Sequence, residues 1–398
     1  MMGTPVLMDL AAALHRYGAT ADRLEEGMDE AAAGFGVDAR FLATPTSIMV
    51  ATQEGTRLLR VDPGQVDLSR LVALEALLTQ IANGMPIDAA RARLREIESS
   101  PDHYGRWTTL AAFALASAAA ARFLGGGTTE IACGLVEGAA VGMMAIGLQG
   151  RSARIFEPLA AFVVTALAIA GGRLGAAIDV AIVAGLIVLV PGMTLTTAMT
   201  ELAGRHLVSG GARLTGALMV LLELGFGVAL ASRLGASWWT THRVIPLPEW
   251  TLFVAIAASL PALTVLLRAP LRDLPAIVLG SVAGYLGARL GAATVGADLA
   301  AFSGAVALTA CAEGYRRVTG RPSVVVQVPS LMLLVPGTIG FRSVSALVAE
   351  DAFVGVKHAF DMMLVAASIV VGTLVTALLT RPRPPERVTW IRPPTSRR

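Results

Sequence analysis

From Trp107 to about residue 380 the chain is a train of long apolar runs, each near the roughly 20 residues that cross a bilayer as a helix. Ten candidate spans fall at about 107–124, 129–148, 157–177, 180–202, 212–233, 250–267, 272–290, 298–317, 324–346 and 356–379. Residues 1–104 follow a different rhythm. Leu10, Leu14, Tyr17, Ala21, Leu24, Met28 and Ala31 recur at helical spacing, which predicts one amphipathic helix over 9–35, ended by Gly34 and Gly36. `TSIMVAT` and `TRLLRV`, separated by Gln53-Glu54-Gly55, predict a hairpin. Asp67 is placed to cap a helix over 68–83, which Asn83-Gly84 and Pro86 stop, and a shorter charged helix follows to about Glu98. The expected fold class is a mainly α membrane protein: ten transmembrane helices, two inverted five-helix repeats, and a small cytoplasmic α+β N-terminal domain. The boundaries are 1–104 for that domain, 105–235 and 250–380 for the repeats, and 381–398 for an Arg/Pro-rich tail expected to be disordered.

Composition agrees with that division. Hydrophobic residues make up 55% of the 398 and charged residues 15%, against about a quarter charged in soluble domains. A net charge of +3 without a basic patch interleaved with aromatics gives nucleic-acid binding no support. Cys133 and Cys311 both lie in apolar runs, the five histidines are scattered, and no motif calls for a metal or a cofactor. No nucleophile–base arrangement is recognisable, so the reading is not an enzyme. The N-terminal stretch lacks the basic start of a signal peptide, and arginines gather before the first span and in the tail `RPRPPERVTWIRPPTSRR`. Both termini are therefore expected in the cytoplasm, with the tail lying against membrane lipids.

The pattern also repeats. `WTTLAAFALASAA` from Trp107 parallels `WTLFVAIAASLPA` from Trp250, `PLAAF` from Pro158 parallels `DLAAF` from Asp298, and `LIVLVPG` from Leu186 parallels `LMLLVPG` from Leu331. A unit of five spans is odd, so the second copy enters the membrane from the opposite side, a plan common among secondary transporters.

Pro191-Gly192 and Pro336-Gly337 fall near the middle of the fourth and ninth spans. Proline removes a backbone donor and clashes with the preceding turn; in lipid the freed groups must meet protein or a water-filled cavity. Two readings follow. The breaks frame a midplane substrate site, with Pro191, Gly192, Thr194, Thr196, Thr197, Pro336, Gly337, Thr338 and Arg342 as its candidates; or they kink two packed helices whose threonines bond carbonyls one turn back. Among ionisable residues within spans, Glu137, Glu201, Glu223 and Asp361 are candidates for proton coupling, since a desolvated carboxylate favours its protonated form. The alternative is a buried pair with an arginine such as Arg213, a structural or gating candidate. Glu130, Asp179 and Asp298 lie near span ends and are expected to reach the headgroups.

With `HRYGATADRLEEGMDEAAAGFGV`, `LVPGMTLTTAMTELAGRHLVSGGARLTGAL` and `RPSVVVQVPSLMLLVPGTIGFRSVSALVAEDAFVGVKHAFDMM`, the chain resembles the bacterial threonine/serine exporter family from about residue 9 to 380. Its landmarks here are Pro191, Gly192, Glu201, Gly211, Arg213, Pro322, Pro336 and Gly337; position 201 is Glu where the resemblance leads one to expect Asp. The resemblance implies an inner-membrane exporter of threonine and serine by proton antiport, with a small-molecule amino-acid substrate and protons as partners. Relatives with split chains imply a small dicarboxylate as the alternative. A reading of another class is a membrane-anchored enzyme or sensor acting through residues 1–104. Homo-oligomerisation stays open.

Overall fold

The computed structural model describes residues 3–53, 55–61, 64–148, 154–294, 296, 299–334, 339, 341, 342, 346 and 352–380. The expected helix over 9–35 is two: α1 (Gly3–Arg16) and α2 (Ala21–Gly34). The helical spacing runs through both, but Gly18 adopts a φ of +98°, which turns the chain between them and is open to glycine without steric cost. Three antiparallel strands follow in the order β1 (Ala39–Thr44), β2 (Ser47–Thr52) and β3 (Gly55–Arg60). The β2–β3 pair is the expected hairpin, in register Met49 to Leu58; β1 was not expected and pairs Leu42 with Met49. Helices α3 (Leu68–Ala82) and α4 (Ile87–Ser99) complete the unit, and Asp67 caps α3 by accepting a 2.9 Å bond from the Arg70 amide. Leu7, Leu10, Leu24, Met28, Ile48 and Leu74 are fully buried between these elements.

Helix forms on every one of the ten apolar stretches. In order these are α5 (Arg106–Phe123), α6 (Thr128–Gly147), α7 (Phe156–Gly172), α8 (Ile178–Leu186) with α9 (Gly192–Ala203), and α10 (Leu207–Leu234). The second series is α11 (Thr251–Leu266), α12 (Leu274–Thr294), α13 (Ala300–Thr319), α14 (Val324–Leu331) and α15 (Ala352–Thr380). Among the described residues, four helices are long and apolar enough to cross a membrane: Thr128–Gly147, Leu207–Leu234, Leu271–Thr294 and Phe353–Thr380. Phe156–Gly172 and Thr251–Leu266 are apolar but shorter.

Some helix pairings recur between the two series, whereas others differ: α5 packs extensively on α6, and α11 barely touches α12. Helix α10 lies on α7 and α15 on α13; α8 lies on α6 and α14 on α12; α5 meets α11. Glycines permit the close approaches, as is usual between helices in lipid. A Cβ on Gly227 would fall 2.3 Å from the Pro158 carbonyl and 2.7 Å from Ala161; one on Gly372 would fall 2.7 Å from the Phe302 carbonyl and 2.9 Å from Ala305. These contacts recur 144 or 145 residues on, so `PLAAF` is matched in packing by the segment starting at Phe302, one helical turn beyond the `DLAAF` of the sequence alignment.

The N-terminal unit packs against the second helical series. Its apolar core continues into Leu260, Leu267, Ile277 and Val325 of the second series. The Leu68 and Ser69 amides donate to the Leu267 and Arg268 carbonyls at 3.0 and 3.2 Å, Asp67 lies 3.5 Å from Arg268, and the Tyr104 hydroxyl donates to the Ala269 carbonyl at 2.5 Å.

Candidate functional site

The fourth apolar stretch is interrupted where proline and glycine stand. Helix α8 ends at Leu186, residues 187–191 make tight turns, and α9 starts at Gly192. The Leu189 and Val190 amides still reach the Leu186 carbonyl, at 2.9 and 3.1 Å, and the Pro191 carbonyl accepts from Leu195 at 3.0 Å. Pro191 thus ends one helix and begins the next. Of the threonines that follow, Thr196 donates to the Gly192 carbonyl at 3.1 Å and Thr200 to the Thr196 carbonyl at 2.9 Å. These two bond one turn back, the packing role weighed against substrate binding. Thr194 and Thr197 are half-buried.

Beside the break stands Glu137 of α6. Its side chain is wholly buried, and among the described residues neither carboxylate oxygen has a hydrogen-bond partner. It lies against Gly185 of α8, where a Cβ would meet Glu137 Oε2 at 2.6 Å; glycine is what leaves the carboxyl group its space. Ser117 of α5 is equally buried, its hydroxyl also without a partner among the described residues, and it packs on Gly138, the next residue of α6. An isolated buried carboxylate is among the costliest arrangements in a protein unless it holds a proton or a cation. Such a group in a packed interior therefore marks a place where one of those is accommodated.

The positions 144 and 145 residues beyond Glu137 and Gly185 hold hydroxyls. Ser281 of α12 donates to Ser330 of α14 at 3.2 Å, both side chains buried, and Ser330 lies opposite Gly280. Side chains of the fourth and ninth stretches also share buried clusters. Met193 packs against the buried cluster of Ala305, Leu308, Leu331 and Ile369, whereas Phe341 belongs to the cluster that includes Leu186, Val190 and Leu195, with Ile339 packed against it. Pro336, Gly337 and Thr338 lie outside the described residues. Arg342 is exposed and borders a separate cavity.

The other carboxylates are held apart from Glu137. Glu201 is buried at the end of α9, where it accepts from Arg213 Nε at 3.1 Å, from Ser209 Oγ at 2.8 Å and from the Ala21 amide at 3.1 Å. Ala21 opens α2, whose N-cap residue Thr20 makes no side-chain capping bond. Glu201 supplies that cap from 180 residues away, with the negative charge at the helix end that favours it. Beside it His206 lies 3.7 Å from Glu25, which accepts from the Ala43 amide at 2.8 Å. The buried His15 ring is 2.8 Å from the Pro45 carbonyl; burial lowers its pKa from 6.5, with Arg213 adding to the effect and the Pro45 bond and Glu201 opposing it. Glu223 and Asp361 are half-buried, the latter 3.8 Å from His358.

Three buried polar groups perform work that no sequence motif announced. Glu130, expected at the headgroups, is buried and accepts from the Gly127 and Ala177 amides at 2.7 Å each, tying α6 to the start of α8. Arg122 donates to Thr251 and to the Leu247 and Pro248 carbonyls, joining the two series. Asp273 holds Arg321 at 2.5 Å and the Tyr315 hydroxyl at 2.9 Å. Among the described residues no group of His, Cys, Asp and Glu could hold a metal ion.

Buried acids beside broken helices are a recurring feature of membrane proteins that move small solutes. Two family models, both described as threonine/serine exporter, match residues 5–235 and 251–379. The chain belongs to the threonine/serine exporter family, a family of transporters and not of enzymes. It is 28% identical over 360 residues to the "Probable threonine/serine exporter" of Mycobacterium tuberculosis, covering 83% of this chain and 67% of that one. It is 25% identical to "Pheromone-regulated membrane protein 10" of Debaryomyces hansenii over 380 residues, and 25% identical to that of Saccharomyces cerevisiae over 417. The alignments take in 87% and 94% of this chain but 37% and 54% of those yeast proteins, so the chain spans about half their length or less. No solved structure matches it.

Proposed function

We propose that this protein exports threonine and serine across the bacterial cytoplasmic membrane in exchange for protons, with both termini in the cytoplasm. The observation that carries the reading is Glu137, a buried carboxyl group with no hydrogen-bond partner among the described residues, beside the interrupted α8–α9 stretch. The substrate's ammonium group and a proton are the two species that relieve such a carboxylate, and they compete for it. Exchange follows from that competition: the site changes sides holding one or the other. Backbone at 187–192 and the half-buried Thr194 and Thr197 complete the substrate's surroundings, and hydroxyl recognition suits the side chains of threonine and serine.

Ten spans in two inverted five-helix repeats are part of the same reading. Its support is the recurrence of helix pairings, the Gly227 and Gly372 contacts 145 residues apart, and the placing of Glu137–Gly185 and Ser281–Ser330 at the same spacing. The repeats are not chemically equal: one carries an acid where the other carries two serines. In this reading Glu201 and Arg213 fasten the N-terminal domain to the membrane helices and take no part in carrying protons.

The test is flux in proteoliposomes holding the full chain, under an imposed pH gradient, across threonine, serine, other amino acids and small dicarboxylates. Threonine and serine are expected to move. Movement of dicarboxylates alone would replace the substrate assignment, and movement of none would end the transport reading.

A further inference from the structure

A cavity of about 590 Å³ opens at the end of the membrane helices away from the N-terminal domain. Its walls are the first turn of α8, the last turns of α10 and the first turns of α15, while the N-terminal domain sits at the α9–α10 and α11–α12 junctions. Inside, the surface is apolar, with Ile182, Val183, Val228 and the buried Phe341. At its edge Asp179, Arg233 and Arg342 are exposed, and Trp239 stands among them. Among the described residues no ion pair includes any of these three charged groups. His358, the fourth ionisable group there, faces Asp361 of its own helix at 3.8 Å.

The arrangement suits an α-amino acid. An α-amino acid presents a carboxylate, an ammonium and a side chain; the rim offers charges of both signs, and the interior offers an apolar wall. Threonine and serine side chains carry a hydroxyl that this wall does not satisfy. We propose that this cavity is an outward-facing binding site for α-amino acids with large apolar side chains, separate from the place at Glu137, and that its occupant slows release of the exported substrate. The carboxylate pairs with Arg233 and Arg342, the ammonium with Asp179, and the side chain enters between α8 and α10. The effect on release rests on the export reading; the binding does not.

Leucine titrated into the detergent-solubilised full chain provides the test, read by tryptophan fluorescence and by thermal stability. A saturable response is expected, with the fluorescence change lost in Trp239→Phe. Removing one charge-assisted contact weakens leucine by about tenfold or more in Asp179→Asn and in Arg233→Gln. Threonine gives no such response that these two variants alter. In vesicles that export threonine, external leucine slows the export, and Asp179→Asn relieves the slowing. Absence of a saturable leucine response, or one unchanged in both variants, overturns the proposal. So does a response that only a zwitterionic phospholipid produces, which would assign the cavity to lipid. Leucine binding that is lost in the variants, in a protein that moves no amino acid, would leave this site standing and remove the export reading.

Discussion

Replacing Glu201 by alanine isolates what joins the N-terminal domain to the membrane helices. The side chain is fully buried, and its loss strands three groups at once: the Ala21 amide, the Ser209 hydroxyl and the Arg213 guanidinium, whose side chain is 18% exposed. Removing one partner of a buried ion pair costs about 3–5 kcal/mol; Arg213 regains some water, which points to about 3 kcal/mol here. That corresponds to a change of roughly a hundredfold in a local opening equilibrium. Hydrogen exchange of the detergent-solubilised protein reads it residue by residue. The first turn of α2 should exchange about a hundredfold faster in Glu201→Ala, a factor set by that free energy. The Leu68 and Ser69 amides, bonded to Leu267 and Arg268 at the other joint, should keep their protection. Glu201→Gln, which retains an acceptor but not the charge, should show a smaller effect, and Arg213→Met added to Glu201→Ala should restore part of the loss. Unchanged exchange at α2, or equal acceleration throughout residues 3–99, would refute the assignment of Glu201 to the joint.

Further outcomes follow from the same contacts. Because burial lowers the His15 pKa from 6.5, the unfolded chain takes up a proton that the folded chain resists; the associated stability is complete above 6.5 and declines as pH falls below it. Thermal unfolding between pH 5 and 8 should show that decline, and His15→Gln should flatten it. Gly227→Ala and Gly372→Ala would each drive a methyl group into a neighbouring carbonyl, and overpacking of this kind costs about 1–3 kcal/mol. Both should lower the thermal midpoint by similar amounts; a neutral outcome for either would show that the helices separate freely there. Gly185→Ala presses on the Glu137 carboxyl group and should depress transport more than it depresses stability.

Much of the membrane portion was legible in the chain because its signals are local. Apolar length marks helices wherever water is excluded, and Pro191 interrupts a helix by its own covalent geometry. In the N-terminal domain the same local reasoning joined α1 to α2, since the apolar spacing persists across a bend that depends on the φ of Gly18. Strand β1 did carry an alternation, with Ala39, Phe41 and Ala43 inward, but Leu42 points outward and blurs it. The roles of the acids were not legible. Glu137 and Glu201 look alike as carboxylates in apolar stretches. One is set against a glycine on α8 with no bond among the described residues, and the other meets the amide of Ala21; tertiary packing alone distinguishes them. Glu130 misled for the same reason, because a position near a helix end says nothing of the two amides that converge on it.

The most direct test of the account follows protons and substrate together. Proteoliposomes enclosing a pH indicator receive a threonine gradient with no imposed pH difference, and the wild-type protein is compared with Glu137→Gln. The account predicts that threonine moving one way drives protons the other way in the wild type, and that Glu137→Gln, folded to the same thermal midpoint, loses this coupled movement. Threonine movement without proton movement in the wild type, or coupling that survives in Glu137→Gln, would contradict it.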